Sequence, residues 1–210
     1  MIENYRQYAP GHWVQNKISG EIIKYDHEYI QYYERMDDSM SHLRYNLLSN
    51  FVLFDSICDF GYGDGAFLKC CLKFGHKCYG HDISDYPLPN NIDFVKNLSD
   101  LDVDVISFFD SLEHIPDFDL VPFLKSIKTK NIIVSVPWMH EHKGAEWFKR
   151  WKHRKENEHF HHFDSYGLIQ LLHDSGFKTV HVGNEEDSIR KSVSYLPNIL
   201  TVIGKKYDQQ

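Results

Sequence analysis

From Leu53 onward, short apolar runs alternate with segments whose apolar residues recur at helical spacing. "LFDSICDF" (53–60), "HKCYGHDI" (76–83), "DVDVISFF" (102–109) and "KNIIVSV" (130–136) predict strands, and "IDFV" (92–95) a short one. Between them "DGAFLKCCLKF" (64–74) and "DFDLVPFLKSI" (117–127) predict helices, with Pro122 near a first turn, where proline is tolerated. Strands alternating with helices imply a parallel sheet covered on both faces. The end of the chain changes rhythm. "DSYGLIQLLHDSGF" (164–177) predicts a helix capped by Asp164 and stopped at Gly176. "FKTVHVG" and "NILTVIG" follow as two strands without a crossover helix, which must be antiparallel if they are neighbours. Before the first strand, "DHEYIQYYERMDDSMSHLRYNLLSN" (26–50) predicts one or two helices. Residues 1–50 are therefore read as a helical cap on a single domain completed by residues 51–210.

Composition narrows the class. At 210 residues the chain is long enough for one substantial core and short for two. Cys58, Cys70, Cys71 and Cys78 lack metal-type spacing and read as buried, reduced thiols. With no spanning run and no signal-like N-terminus, a cytoplasmic protein off the membrane is expected. The net charge of −7 argues against nucleic-acid partners. "KGAEWFKRWKHRK" (143–155) is the exception, with six Lys/Arg against one Glu.

The candidate chemistry begins at "ICDFGYGDGAF" (57–67). Gly61, Gly63 and Gly65 sit where a strand hands over to a helix, so backbone can approach a ligand closely. Gly61, Gly63 and Ala66 also satisfy a dinucleotide fingerprint, and Asp82 could bind ribose in either cofactor class. Asp59 and Asp64 shift the balance, because negative charge there opposes a pyrophosphate and suits a cation.

D-F-G-Y-G-D-G resembles the D-x-G-x-G-x-G loop of class I S-adenosylmethionine-dependent methyltransferases. "DVISFFDSLEHIPD" and "HFHHFDSYGLIQLLHDSGF" are similar to later segments of their ubiquinone-biosynthesis and sugar O-methyltransferase group. The resemblance covers residues 53–204. It implies a Rossmann-like α/β three-layer sandwich with a seven-stranded, mostly parallel sheet of order 3-2-1-4-5-7-6 and an antiparallel last strand. It further implies that Asp59 organises the methionine end of S-adenosylmethionine and that Gly61, Tyr62, Gly63 and Gly65 wrap the cofactor. Asp82 and Ile83 would flank the ribose, Leu98 the adenine, and Phe109 and Asp110 the methionine moiety. S-adenosylhomocysteine would be the product.

His114 and Glu113 are the candidate catalytic pair, since a hydroxyl acceptor must lose a proton. Trp138, Lys149, Arg150, His161 and His162 are candidate substrate residues, with the insert at 137–160 forming a wall for a small phosphorylated or sugar-like acceptor. No metal is expected. D-x-x-E-H followed by "HFHHF" does loosely resemble the metal-binding pattern of small-RNA 2′-O-methyltransferases, which keeps an RNA methyltransferase as an alternative. A non-catalytic homologue acting as a partner subunit is another, and an NAD oxidoreductase a third.

Overall fold

The computed structural model describes residues 2–17, 38–84, 86–117, 119–190 and 195–207. Ten strands are described: β1 (Tyr5–Ala9), β2 (His12–Gln15), β3 (Ser56–Phe60), β4 (Lys77–His81), β5 (Asp93–Phe94), β6 (Asp102–Phe109), β7 (Lys128–Pro137), β8 (His161–Phe163), β9 (Phe177–Gly183) and β10 (Ile199–Lys206). The helices are α1 (Ser39–Phe51), α2 (Ala66–Lys73), α3 (Leu120–Ser126), α4 (Gly144–Arg150), α5 (Ser165–Asp174) and the single turn α6 (Asp187–Arg190).

The main sheet has the order β5-β4-β3-β6-β7-β10-β9. Counted along this sheet alone, that is 3-2-1-4-5-7-6. β10 runs antiparallel to both β7 and β9, and the other pairings are parallel. The central strands β6 and β7 are buried on both faces, which is why their sequences read as continuous apolar runs. Alternate residues feed two cores. Ile106, Phe108, Ile132 and Val134 pack with Leu120 and Leu124 of α3 and Leu168 and Leu172 of α5. Ile57, Val105 and Ile133 pack with Leu48 of α1 and Phe67 and Leu68 of α2 on the opposite face. The result is a three-layer sandwich, and no helix among the described residues is long and apolar enough to cross a membrane.

The N-terminal region departs from the helical cap expected for residues 1–50. Its C-terminal part is α1, and residues 26–37 of the predicted helical stretch lie outside the described residues. Residues 5–15, however, form the β1–β2 hairpin, which pairs with β8 in a second, three-stranded antiparallel sheet. The partner strand is some 150 residues away, so local pattern alone could not favour strand over helix. Ile2 and Tyr5 bury themselves against Met139 and Phe148, with Trp13, Trp147 and Trp151 around them. The 137–160 insert is thus the hydrophobic floor of this small sheet.

The hairpin turn docks on the start of α5. The Asp164 carboxylate accepts the Gly167 N–H at 2.9 Å as an N-cap, and the Asp164 N–H donates to Gly11 O at 2.8 Å. A Cβ on Gly167 would lie 2.2 Å from Gly11 O and 2.4 Å from Gly11 C, both backbone atoms. Helix propensity alone would favour alanine at Gly167 by roughly 1 kcal/mol. Gly167→Ala is instead expected to destabilise the protein by about 1–3 kcal/mol in urea unfolding, because two backbones must separate.

Candidate functional site

The C-terminal ends of β3, β4 and β6 converge where the sequence places its cofactor residues, as sites in open α/β sheets do. Gly61, Gly63 and Gly65 all have positive φ (77°, 53° and 70°), which only glycine adopts without strain. Added Cβ atoms would meet Ser111 at Gly61 and Pro89 at Gly65, whereas no described residue lies within 4 Å at Gly63. Among the described residues the loop therefore keeps one open face. The Ser111 hydroxyl oxygen, buried beside Gly61, has no hydrogen-bond partner among the described residues. Tyr62 is buried, donates its hydroxyl to Tyr86 O at 2.6 Å and packs its ring over Gly80, so only its backbone faces the loop.

The acids sort by role. Asp59 is buried at the end of β3 and accepts the Ser107 hydroxyl at 2.7 Å from the neighbouring strand. Burial raises its pKa to about 7, while the Ser107 bond and the Arg44 charge pull it down. Asp64 accepts the Ala66 N–H at 2.9 Å. Its carboxylate therefore occupies the helix terminus where a pyrophosphate would otherwise sit. Asp82 accepts N–H groups from Gly63 at 3.0 Å and Ser84 at 2.8 Å, which ties the glycine loop to the end of β4. Beside it Ile83 is almost fully exposed, a bare apolar face at 79%. Leu98 packs into the core below α3, leaving its backbone rather than its side chain for a ligand.

At the tip of β6, Phe109 is covered by the Arg44 guanidinium, 4.1 Å above its ring. Asp110 follows at φ 51°, an uncommon conformation for a non-glycine residue, and both Arg44 (3.5 Å) and Arg190 reach its carboxylate. The same arginines grip Glu186, at 2.7 Å each. Burial would raise the Glu186 pKa, but the two guanidiniums hold it at about 2. Arg44, Glu186 and Arg190 were not legible as site residues in the sequence. They lie in three elements and carry no motif.

Just beyond Asp110, residues 112–114 form a short 3₁₀ turn carrying Glu113 and His114. Glu113 is 1% exposed, and neither carboxylate oxygen has a hydrogen-bond partner among the described residues. Burial and the Asp110 charge raise its pKa well above the usual carboxylate range. His114 Nε2 lies 3.9 Å from Glu113, and its ring meets that of His159 edge to face at 4.6 Å. The Phe160 N–H donates to Glu113 O at 2.8 Å, and Gln15 donates to Phe160 O at 2.8 Å. The N-terminal sheet thereby holds His159 against the catalytic candidates.

The expected substrate residues do not all gather there. His161 is interior: its Nε2 bonds Asp117 O at 2.8 Å and its Nδ1 bonds His12 at 2.9 Å. His162 is buried among Tyr5, Phe148 and Trp151. Burial lowers both, to about 4 and about 3, so they are neutral where they pack. Lys149 and Arg150 are exposed and bond Glu146 within α4. Trp138, at the end of β7, stacks on His140 and is half-buried.

The fold and glycine loop define a class I α/β methyltransferase. A family model described as a methyltransferase domain matches residues 30–182, and the chain belongs to that family of S-adenosylmethionine-dependent enzymes. A search of curated proteins finds no match. Among solved structures, the chain is similar to the 1,6-didemethyltoxoflavin-N1-methyltransferase of Burkholderia thailandensis (TM-score 0.62, 15% identity, 98% of this chain and 100% of that one). A SAM-dependent methyltransferase from Archaeoglobus fulgidus gives 0.63 and 17%, over 86% and 100%. Human N-acetylserotonin methyltransferase gives 0.60 and 19%, over 85% and 54%. At these identities the likeness is one of fold.

Asp59 yields a pH prediction. Its pKa rises from 3.8 to about 7 on folding. The stability it contributes is therefore complete below pH 4 and lost as pH climbs through 7. Between pH 5 and 8, Asp59→Asn should lose ~2–4 kcal/mol less stability than the parent protein. Denaturant midpoints of the two proteins across that range measure the difference.

Proposed function

We propose that this methyltransferase acts on an oxygen of a small, anionic or carbohydrate-like acceptor seated beside the tip of β6. The observation that carries the reading is the group of buried Glu113, part-buried His114 and buried His159, whose first two members follow Asp110 directly. An oxygen acceptor must shed its proton as it is methylated, and a buried carboxylate with two imidazoles answers that need.

On the cofactor side, the backbone of Gly61, Tyr62, Gly63 and Gly65 would wrap S-adenosylmethionine. Asp82 would hold the ribose, with Ile83 and the Leu98 backbone beside the adenine. Phe109, Asp110 and Asp59 would surround the methionine end. The open face at Gly63 and the unmatched Ser111 hydroxyl suit such a ligand. When bound, the cofactor supplies a methyl group on a sulfonium, whose sulfur leaves as neutral S-adenosylhomocysteine. The chain's own share is orientation, exclusion of water and care of the acceptor proton. Trp138 would form one side of the acceptor space, with Lys149 and Arg150 further out on the insert.

The test is an acceptor screen that detects S-adenosylhomocysteine release and locates the new methyl group by NMR. His114→Ala is expected to lower kcat by about 10²–10³-fold while leaving the Kd for S-adenosylmethionine within threefold. A methyl group found on nitrogen, or an unchanged kcat, would overturn the reading.

A further inference from the structure

Glu113 poses a problem that hydrogen bonding among the described residues does not solve. Its carboxylate is 1% exposed and both oxygens lack partners there, although buried polar groups are almost always satisfied. The Nδ1 of His159 is also buried and without a partner among the described residues. One donor atom each from Glu113, His114 and His159 can be chosen so that all lie within 4.8 Å of one another. Ligands at ordinary bond lengths around a tetrahedral ion stand roughly 3.5 Å apart, so movements of under ~1 Å in each of the side chains would close the set.

The surroundings of the two imidazoles have the character of a metal site. The Glu158 carboxylate faces Nε2 of His159 at 3.7 Å, on the ring edge away from the orphaned Nδ1. His114 hydrogen-bonds the Glu158 backbone. Carboxylate and carbonyl neighbours of this kind fix the tautomer and orientation of metal-binding histidines. Asp110, which the sequence pattern would place in such a set, is instead engaged by Arg44 and Arg190.

We infer that Glu113, His114 and His159 hold one divalent transition-metal ion of the zinc or manganese type. Two imidazoles and one carboxylate favour such ions over magnesium or calcium, which prefer oxygen. Three protein ligands leave a position open for the acceptor. This deepens the proposed function and rests on it: the ion would bind the acceptor oxygen and make it easier to ionise. With one lone pair of each group on the ion, the three side chains would act on the acceptor proton through the metal rather than by accepting it: the proton would pass to solvent, an oxygen lone pair would form the new C–O bond, and the electrons of the broken C–S bond would stay on sulfur.

The test uses the full chain, stripped with a chelator and dialysed. Zn²⁺ and Mn²⁺ are titrated calorimetrically, and Co²⁺ serves as a visible-absorption probe. The expected result is one ion per chain with micromolar or tighter affinity for Zn²⁺, and cobalt bands of a low-coordinate site that Zn²⁺ abolishes. Glu113→Gln and His159→Ala should each weaken binding at least 30-fold while keeping a parent-like circular dichroism spectrum. His173→Ala, at an exposed histidine, should change nothing. No binding up to 1 mM, or parent-like binding in both ligand variants, would overturn the site. Oxygen methylation without bound metal would sink the metal while sparing the proposed function. Stoichiometric metal with methylation on nitrogen would do the reverse.

Discussion

Glu186 is the charge on which the arrangement of the site depends. A carboxylate this buried is tolerable only when paired, and Arg44 and Arg190 both pair with it. Arg44 comes from α1 and Arg190 from the turn between β9 and β10, and both also reach Asp110 at the tip of β6. One charge network therefore ties three elements together over the end of the sheet. It also holds Asp110 in its left-handed conformation and lays a guanidinium over Phe109. Removing Glu186 would leave both guanidiniums to Asp110 alone in a part-buried place, so the wall over the tip of β6 depends on that one carboxylate.

A second constraint works from the other side. The N-terminal hairpin, β8 and the 137–160 insert make a small sheet with its own aromatic floor. Neutral histidines bind it together: His12 and His161 share a hydrogen bond, and burial lowers His12 to about 2. Through Gln15, Phe160 and Glu113 the backbone of this sheet reaches the 3₁₀ turn after β6. The glycine loop and the Glu113 group are thus positioned by different halves of the molecule and meet at one strand end.

The parts that were legible in the sequence are those whose physics is local. Alternating apolar runs located the sheet, and Asp164 and Gly176 marked the ends of α5 because capping involves neighbours in the chain. Asp64 was read as a charge hostile to phosphate. The structure adds the reason, since its carboxylate already satisfies an N–H of the α2 terminus. The β1–β2 hairpin was missed because its stabilising partners are β8 and the insert, far along the chain. His161 and His162 were candidate acceptor contacts, and their burial on the small sheet depends on the same distant partners.

Periodicity along the chain was enough to define alternating strands and helices and the glycine loop between them, while the strand order and the class of enzyme came from the resemblance that the motifs carry. Such features are written in residues a few positions apart, where backbone geometry leaves few choices. Which charged groups neutralise one another, and which buried carboxylate is left without a partner, depended on contacts across 45 to 150 residues. Arg44 joining Glu186, and His159 joining Glu113, follow from how the sheet and the hairpin close over one another. Burial then changes what each group can do, because desolvation acts only once the chain has folded.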